Sequence, residues 1–246
     1  MSKTSFTIAF DGPALKDGRM AVRDLAPALL ALGRVIEIAN RTVNGSDHPV
    51  RVEAVATGIG SFQVGIDVIL PMWEQLRGLL TSADVDGALK LLQILGIVTT
   101  GGTGLIALLR RLNGRPILSA SRSEREGEIV VRFQDESGGE TSIVVPVEVL
   151  RLYQEVAVQR ELGALLDTLA SEAVETISFY PGDHVPSSPA PVVLTRADRG
   201  IAQSPEPPTE TVIDMTQRMA LSIRSLAFAE GNKWRLFDGQ NVITAT

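Results

Sequence analysis

The chain has 246 residues, 44% of them hydrophobic and 21% charged, with a net charge of −6 and a pI near 5.1. That length suits one large domain or two smaller ones, and an acidic chain whose arginines gather only at Arg110, Arg111, Arg115, Arg122 and Arg125 is not expected to bind nucleic acid as its main role. With no cysteine and only two histidines, His48 and His184, disulfides, thiolate nucleophiles, thiolate zinc sites and multi-histidine metal centres are excluded.

The N-terminal residues Met-Ser-Lys-Thr-Ser-Phe contain no apolar core of a signal peptide. Residues 3–10 alternate, with Phe6, Ile8 and Phe10 on one side and Ser5 and Thr7 on the other, which predicts a half-buried strand. Asp11-Gly12-Pro13 ends it. A helix follows, with Asp24 as the expected N-cap and Pro27 in its first turn. Leu25, Leu29, Leu32 and Ile36 form its apolar stripe, and Asn44-Gly45 closes it. Residues 50–56 and 60–70 read as strands joined by a turn at 57–60. In the second of these, Phe62, Val64, Ile66 and Val68 share a face and Asp67 lies opposite. The Gly-x-Gly of that turn lacks the third glycine and the helix start of a dinucleotide fingerprint. Pro71 is expected to start a short helix carrying Met72, Trp73, Leu76, Leu79 and Leu80.

Residues 88–112 form the longest apolar run of the chain. No charge falls between Leu91 and Leu109, a span of about 19 residues against the ~20 that a bilayer core requires. Lys90 at one end and Arg110 and Arg111 at the other are placed to flank a membrane, the arginines on its cytoplasmic side. Against a continuous helix stands Thr99-Thr100-Gly101-Gly102-Thr103-Gly104, three glycines at ~1 kcal/mol each among three threonines. A break there leaves a helical hairpin too short to span. Its apolar side chains (Leu91, Leu92, Ile94, Leu95, Ile97, Leu105, Ile106, Leu108 and Leu109, with Trp73 nearby) must then be covered by the fold, an oligomer interface or a membrane surface.

Beyond Pro116, residues 119–127 read as a loop or edge and residues 128–134 as a strand. Asp135-Glu136-Ser137-Gly138-Gly139 is a hairpin turn to a partner strand at 141–145. Pro146 opens a helical region through Tyr153, Val158, Leu162, Leu165, Leu166 and Leu169 form a further stripe, and residues 174–179 are a strand. Prolines then crowd the chain to position 208, which predicts an extended linker. Residues 217–229 and 233–237 alternate as strands and a last one begins at Val242, which predicts that the natural chain continues past Thr246.

Ile97 to Gly104 resembles the T-T-G-G-T-G loop of the molybdopterin-binding MogA/MoaB-like proteins. The resemblance covers eight residues and implies a phosphate or pterin held by the backbone of Thr99, Thr100, Gly101, Gly102, Thr103 and Gly104. The acidic residue and Arg-Asp that follow that family's loop are replaced here by Leu105-Ile106-Ala107-Leu108-Leu109. Residues 104–115, following an apolar helix, are also similar to bacterial and prophage-type proteins, a resemblance that implies no active-site residues.

No G-x-S-x-G and no G-K-[ST] occurs, and Asp84 and Asp86 are too close in sequence to share a helix face. The expectation is an α+β protein with mainly antiparallel sheets. Its parts are strand-and-helix units at 1–70 and 117–180, a hydrophobic helical hairpin at 71–116, a Pro-rich linker at 181–211 and a β-rich piece at 212–246. The expected function is non-enzymatic assembly: a cytoplasmic protein that self-associates as a homo-oligomer, or contacts the inner membrane, through the apolar run, with no catalytic residue and no cofactor. The alternative is a ligand-binding protein or enzyme using the loop at 99–104.

Overall fold

The structure, a computed structural model, describes residues 2–15, 17–46, 48–56, 62–70, 87–98, 103–182, 192–202, 222–225, 234–237 and 242–245. It is an α+β fold with antiparallel sheets. Residues 1–213 form one compact unit and residues 214–246 another.

The first unit is built on a five-stranded sheet. β1 (Ser2–Asp11) lies at its centre, between β3 (Phe62–Leu70) and β7 (Thr176–Pro181). β2 (Arg51–Ala56) and β8 (Val192–Thr195) are its edges. The alternation of β1 decides its faces. Phe6, Ile8 and Phe10 are wholly buried, and Ile8 lies across from Val64 on one side and Phe179 on the other. Phe6 and Phe179 pack with ring centroids 6.2 Å apart. Strands from residues 1–70 and from beyond 117 therefore meet in one sheet. On the opposite face, Ser5 Oγ donates to Asp67 at 2.7 Å and Lys3 Nζ lies 2.8 Å from it. The Lys3 ammonium holds the Asp67 carboxyl below the usual carboxylate range, helped by Ser5 and opposed by burial.

α1 (Val22–Asn44) covers the apolar face with Ala28, Leu32, Val35, Ile36 and Ala39. It starts earlier than the capping rule suggests. Ala21, not Asp24, is the N-cap, and it makes no side-chain cap. Asp24 falls in the first turn, where its charge complements the helix dipole. Pro27 is consequently beyond the first turn. It is tolerated because Pro27 and Arg23 both face solvent, so water can take the carbonyl that loses its helical donor. The helix ends at Gly45, with φ of +88°.

α2 (Gly87–Leu95) and α3 (Leu105–Leu112) follow, then a second sheet of β4 (Ile117–Arg122), β5 (Glu128–Gln134) and β6 (Glu140–Pro146) in that order. The stretch expected as a loop or edge from 119 is an edge strand as far as Arg122 and loop beyond it. A register shift between Ile117 and Ser119 inserts one extra residue at Leu118, and that bulge hides the two-residue period from the sequence. The β5–β6 turn is held by Asp135, whose carboxylate accepts from Ser137 Oγ, Ser137 N–H and Gly139 N–H at 2.6 to 2.9 Å. These donors, Ser137 foremost, hold Asp135 below the usual carboxylate range.

α4 (Val147–Gln154) and α5 (Val156–Leu166) return across the molecule, α5 against α1 and α4 against β5 and β6. The second sheet thus shares one continuous apolar core with the first. The last strand of the 117–180 stretch runs Thr176–Pro181, two residues later than its pattern suggests. The second unit is a three-stranded antiparallel sheet of β9 (Ser222–Ser225), β10 (Trp234–Phe237) and β11 (Val242–Ala245), with β10 in the middle. The expected strand at 217–229 contains β9, and its remaining residues lie outside the described ones. So do the turn at 57–60 and the helix expected from Pro71.

Candidate functional site

The apolar run is the core of the first unit. Leu91, Leu92, Ile94, Leu95 and Ile97, with Leu105, Ile106, Leu108 and Leu109, each expose 5% of their surface or less. The nine residues of α2 and eight of α3 are ~12–14 Å long, under half a bilayer core. Among the described residues no helix is long and apolar enough to cross a membrane. Trp73 lies outside the described residues. The side chains expected to meet lipid or another subunit meet their own chain instead, because α1, α4 and β1 pack around α2 and α3.

Where α2 ends and α3 begins, two glycines touch. Gly96 has φ of +80° and donates to Gln93 O at 3.0 Å, while Ile97 N–H reaches Leu92 O at 3.0 Å. This is a glycine helix stop of the Schellman kind, with Ile97 and Leu92 both buried beside it. Gly104 is the N-cap of α3. A Cβ on Gly104 would lie 2.5 Å from Gly96 Cα, 2.5 Å from Gly96 N and 2.7 Å from Gln93 O. The positive φ of the helix stop accounts for glycine at 96, and close backbone approach for glycine at 104, without any ligand. The positive end of α3 also meets a carbonyl at the negative end of α2, which weakens its pull on an anion. Thr103 is exposed, and Thr99, Thr100, Gly101 and Gly102 lie outside the described residues.

The run's two arginines behave differently. Arg111 is exposed at the end of α3. Arg110 is an internal tie: its Nε donates to Asp198 Oδ1 at 2.7 Å, and its Nη2 donates to Asp198 Oδ2 at 2.9 Å and to the Val193 carbonyl. Asp198 also caps the short 3-10 helix Arg196–Gly200, accepting from Thr195 N–H at 2.8 Å. Asp198 escaped the sequence reading because it stands 88 positions from Arg110, although Thr195-x-x-Asp198 is a legible capping box. Burial raises the Asp198 pKa, but the Arg110 and Thr195 donors outweigh it and hold the carboxyl below its usual value.

A depressed folded-state pKa contributes stability above the unfolded value, near ~3.9, that is lost as pH falls through the folded value. We therefore expect Asp198→Asn to cost about 1–2 kcal/mol at pH 7, a figure reduced for the partial exposure of Arg110. The difference from the unsubstituted protein should shrink as pH drops below ~4. Urea titrations at pH 7 and pH 3 check this, and an equal cost at both would contradict the charge-based tie.

A void of about 10 Å³ sits under the α2–α3 junction, walled by Val35, Leu95, Ile97, Leu105, Leu165 and Phe179. It holds no more than a water-sized body and its lining is apolar, so it is a dry packing gap rather than a ligand pocket. Among the described residues no three histidines, aspartates or glutamates gather as a metal site would need. The chain matches no family model, no curated protein and no solved structure.

Proposed function

We propose that the protein is a non-enzymatic assembly protein of the cytoplasm that associates with further copies of itself. The observation that carries this reading is the outer side of the second sheet. Leu118 and Val144 there expose 49% and 41% of their surfaces, and Val130 lies half-buried beside Val144 across the β5–β6 ladder. Apolar groups left on a sheet with free edges favour protein contacts. The apolar run supports association indirectly, by giving this small sheet a rigid core to stand on.

Size-exclusion chromatography with light scattering tests the reading. The expected mass is a multiple of 26.3 kDa that rises with loading concentration. A single-chain mass at every concentration up to the millimolar range would overturn it. Flotation with anionic vesicles runs alongside, and retention of the protein in the lipid fraction would favour membrane contact instead.

A further inference from the structure

We infer that the self-association proposed above runs through the free edge of β6, which pairs antiparallel with β6 of a second copy about a two-fold axis at Ile143. Among the described residues the first unit has four strand edges with no strand beside them, and three of them are blunted. β2 carries Arg51 and Glu53, paired at 3.6 Å. β8 has only four residues, and its Val193 carbonyl is taken by Arg110. β4 is interrupted by the bulge at Leu118. β6 has seven residues in unbroken register with β5, a single charge at its first residue (Glu140, 3.7 Å from Arg132 of β5), no lysine, and a proline only at its last position.

The hydrogen-bond phase of the hairpin says which groups are free. Asp135 N–H donates to Gly139 O at one end, and Val147 N–H to Gly127 O at the other. Odd-numbered residues of β6 therefore bond to β5, and the N–H and C=O of Glu140, Ser142 and Val144 point away from it. Among the described residues nothing bonds to them. Only registers that set even residues against even residues bring two such edges together. Of these, the one centred on Ile143 overlaps the whole strand.

In that register Ser142 faces Val144 of the second copy, Glu140 faces Pro146, Thr141 faces Val145, and Ile143 faces its own equivalent. Both Ser142–Val144 pairs exchange two hydrogen bonds, for about four in all, while the Pro146 carbonyl, as the N-cap of α4, is directed to its own helix. No like charges stand directly opposite each other, which would disfavour pairing. The result is a continuous six-stranded sheet whose outer face joins the Val130 and Val144 positions of both copies.

The chain has no cysteine, so single-cysteine variants report the register cleanly. Ile143 and its equivalent form a non-hydrogen-bonded pair, with Cα atoms expected ~4.5 Å apart, within disulfide reach. Mild oxidation of Ile143→Cys should give a covalent dimer on a non-reducing gel. Thr141→Cys should not, because its two copies stand about four residues, ~14 Å, apart along the seam. Ser142→Pro removes an outward donor while sparing the ladder to β5, so it should weaken the dimer at least tenfold with circular dichroism unchanged. A wild-type protein that stays monomeric defeats self-association and this register together. A wild-type dimer that neither crosslinks at 143 nor responds to Ser142→Pro leaves self-association standing and overturns the β6 seam.

Discussion

Gly104→Ala and Gly12→Ala are each expected to lower the unfolding free energy by about 3 kcal/mol, near the upper end for overpacked sites. The added Cβ has only backbone to meet. At Gly104 it would sit 2.5 Å from Gly96 Cα and Gly96 N, and at Gly12 it would sit 2.1 Å from the Ala173 carbonyl oxygen. Neither neighbour is a side chain that can swing aside. Relief at Gly104 requires α3 to move off the end of α2, which loosens Leu105 and Ile106, at 0% and 4% exposure, from the core. At Gly12 it requires the end of β1 to part from the loop before β7, where Glu175 N–H donates to Asp11 O at 2.8 Å. Gly33 supplies the control. Nothing lies within 4 Å of its Cβ position in the middle of α1, so Gly33→Ala should stabilise by about 0.5–1 kcal/mol. Urea titration followed by far-ultraviolet circular dichroism measures all three. A Gly104→Ala protein within ~0.5 kcal/mol of the original would show that the two helix ends do not touch as described.

Leu92→Ala and Leu108→Ala should each cost about 3 kcal/mol, because both side chains are completely enclosed and their removal leaves a cavity as well as lost burial. For a chain of this size the melting temperature should fall by roughly 6–12 °C. The fall should be the same across a hundredfold range of protein concentration. An interface leucine would behave otherwise, since its loss acts through association and the size of the fall would then change with concentration. Val144→Ala, on the exposed side of β6, should change the stability of the single chain by no more than ~0.5 kcal/mol. A concentration-dependent loss at Leu92 or Leu108 would return the apolar run to the role of a contact surface.

The readable parts of the fold are those in which one residue and its near neighbours suffice. β1 is visible in Phe6, Ile8 and Phe10, and the β5–β6 hairpin in Asp135 to Gly139, because a period of two and a turn are local properties. Leu32 and Ile36 mark the buried stripe of α1 for the same reason. Reading failed where a local rule was broken by something distant. The bulge at Leu118 interrupts the period of β4 and left the choice between loop and edge strand open there. α1 begins at Val22 on an alanine cap, so Asp24, the better cap by type, lies inside the helix. Arg110 looked like a membrane flank until Asp198 supplied its partner.

The sequence by itself determined that the chain is an α+β protein with antiparallel strands, that its middle is too apolar to stand in water, and that Thr99 to Gly104 disfavours one long helix there. Only the tertiary structure decided what covers that middle. Apolar attraction has no direction and scales with the area hidden, so a leucine's own neighbours in the chain carry no record of whether lipid, another subunit or its own sheet will hide it. Here the covering surface comes from β1, α1 and α4. Among the described residues Leu118 and Val144 of the second sheet still face outward, as do Val22, Leu30, Val55 and Val156 elsewhere.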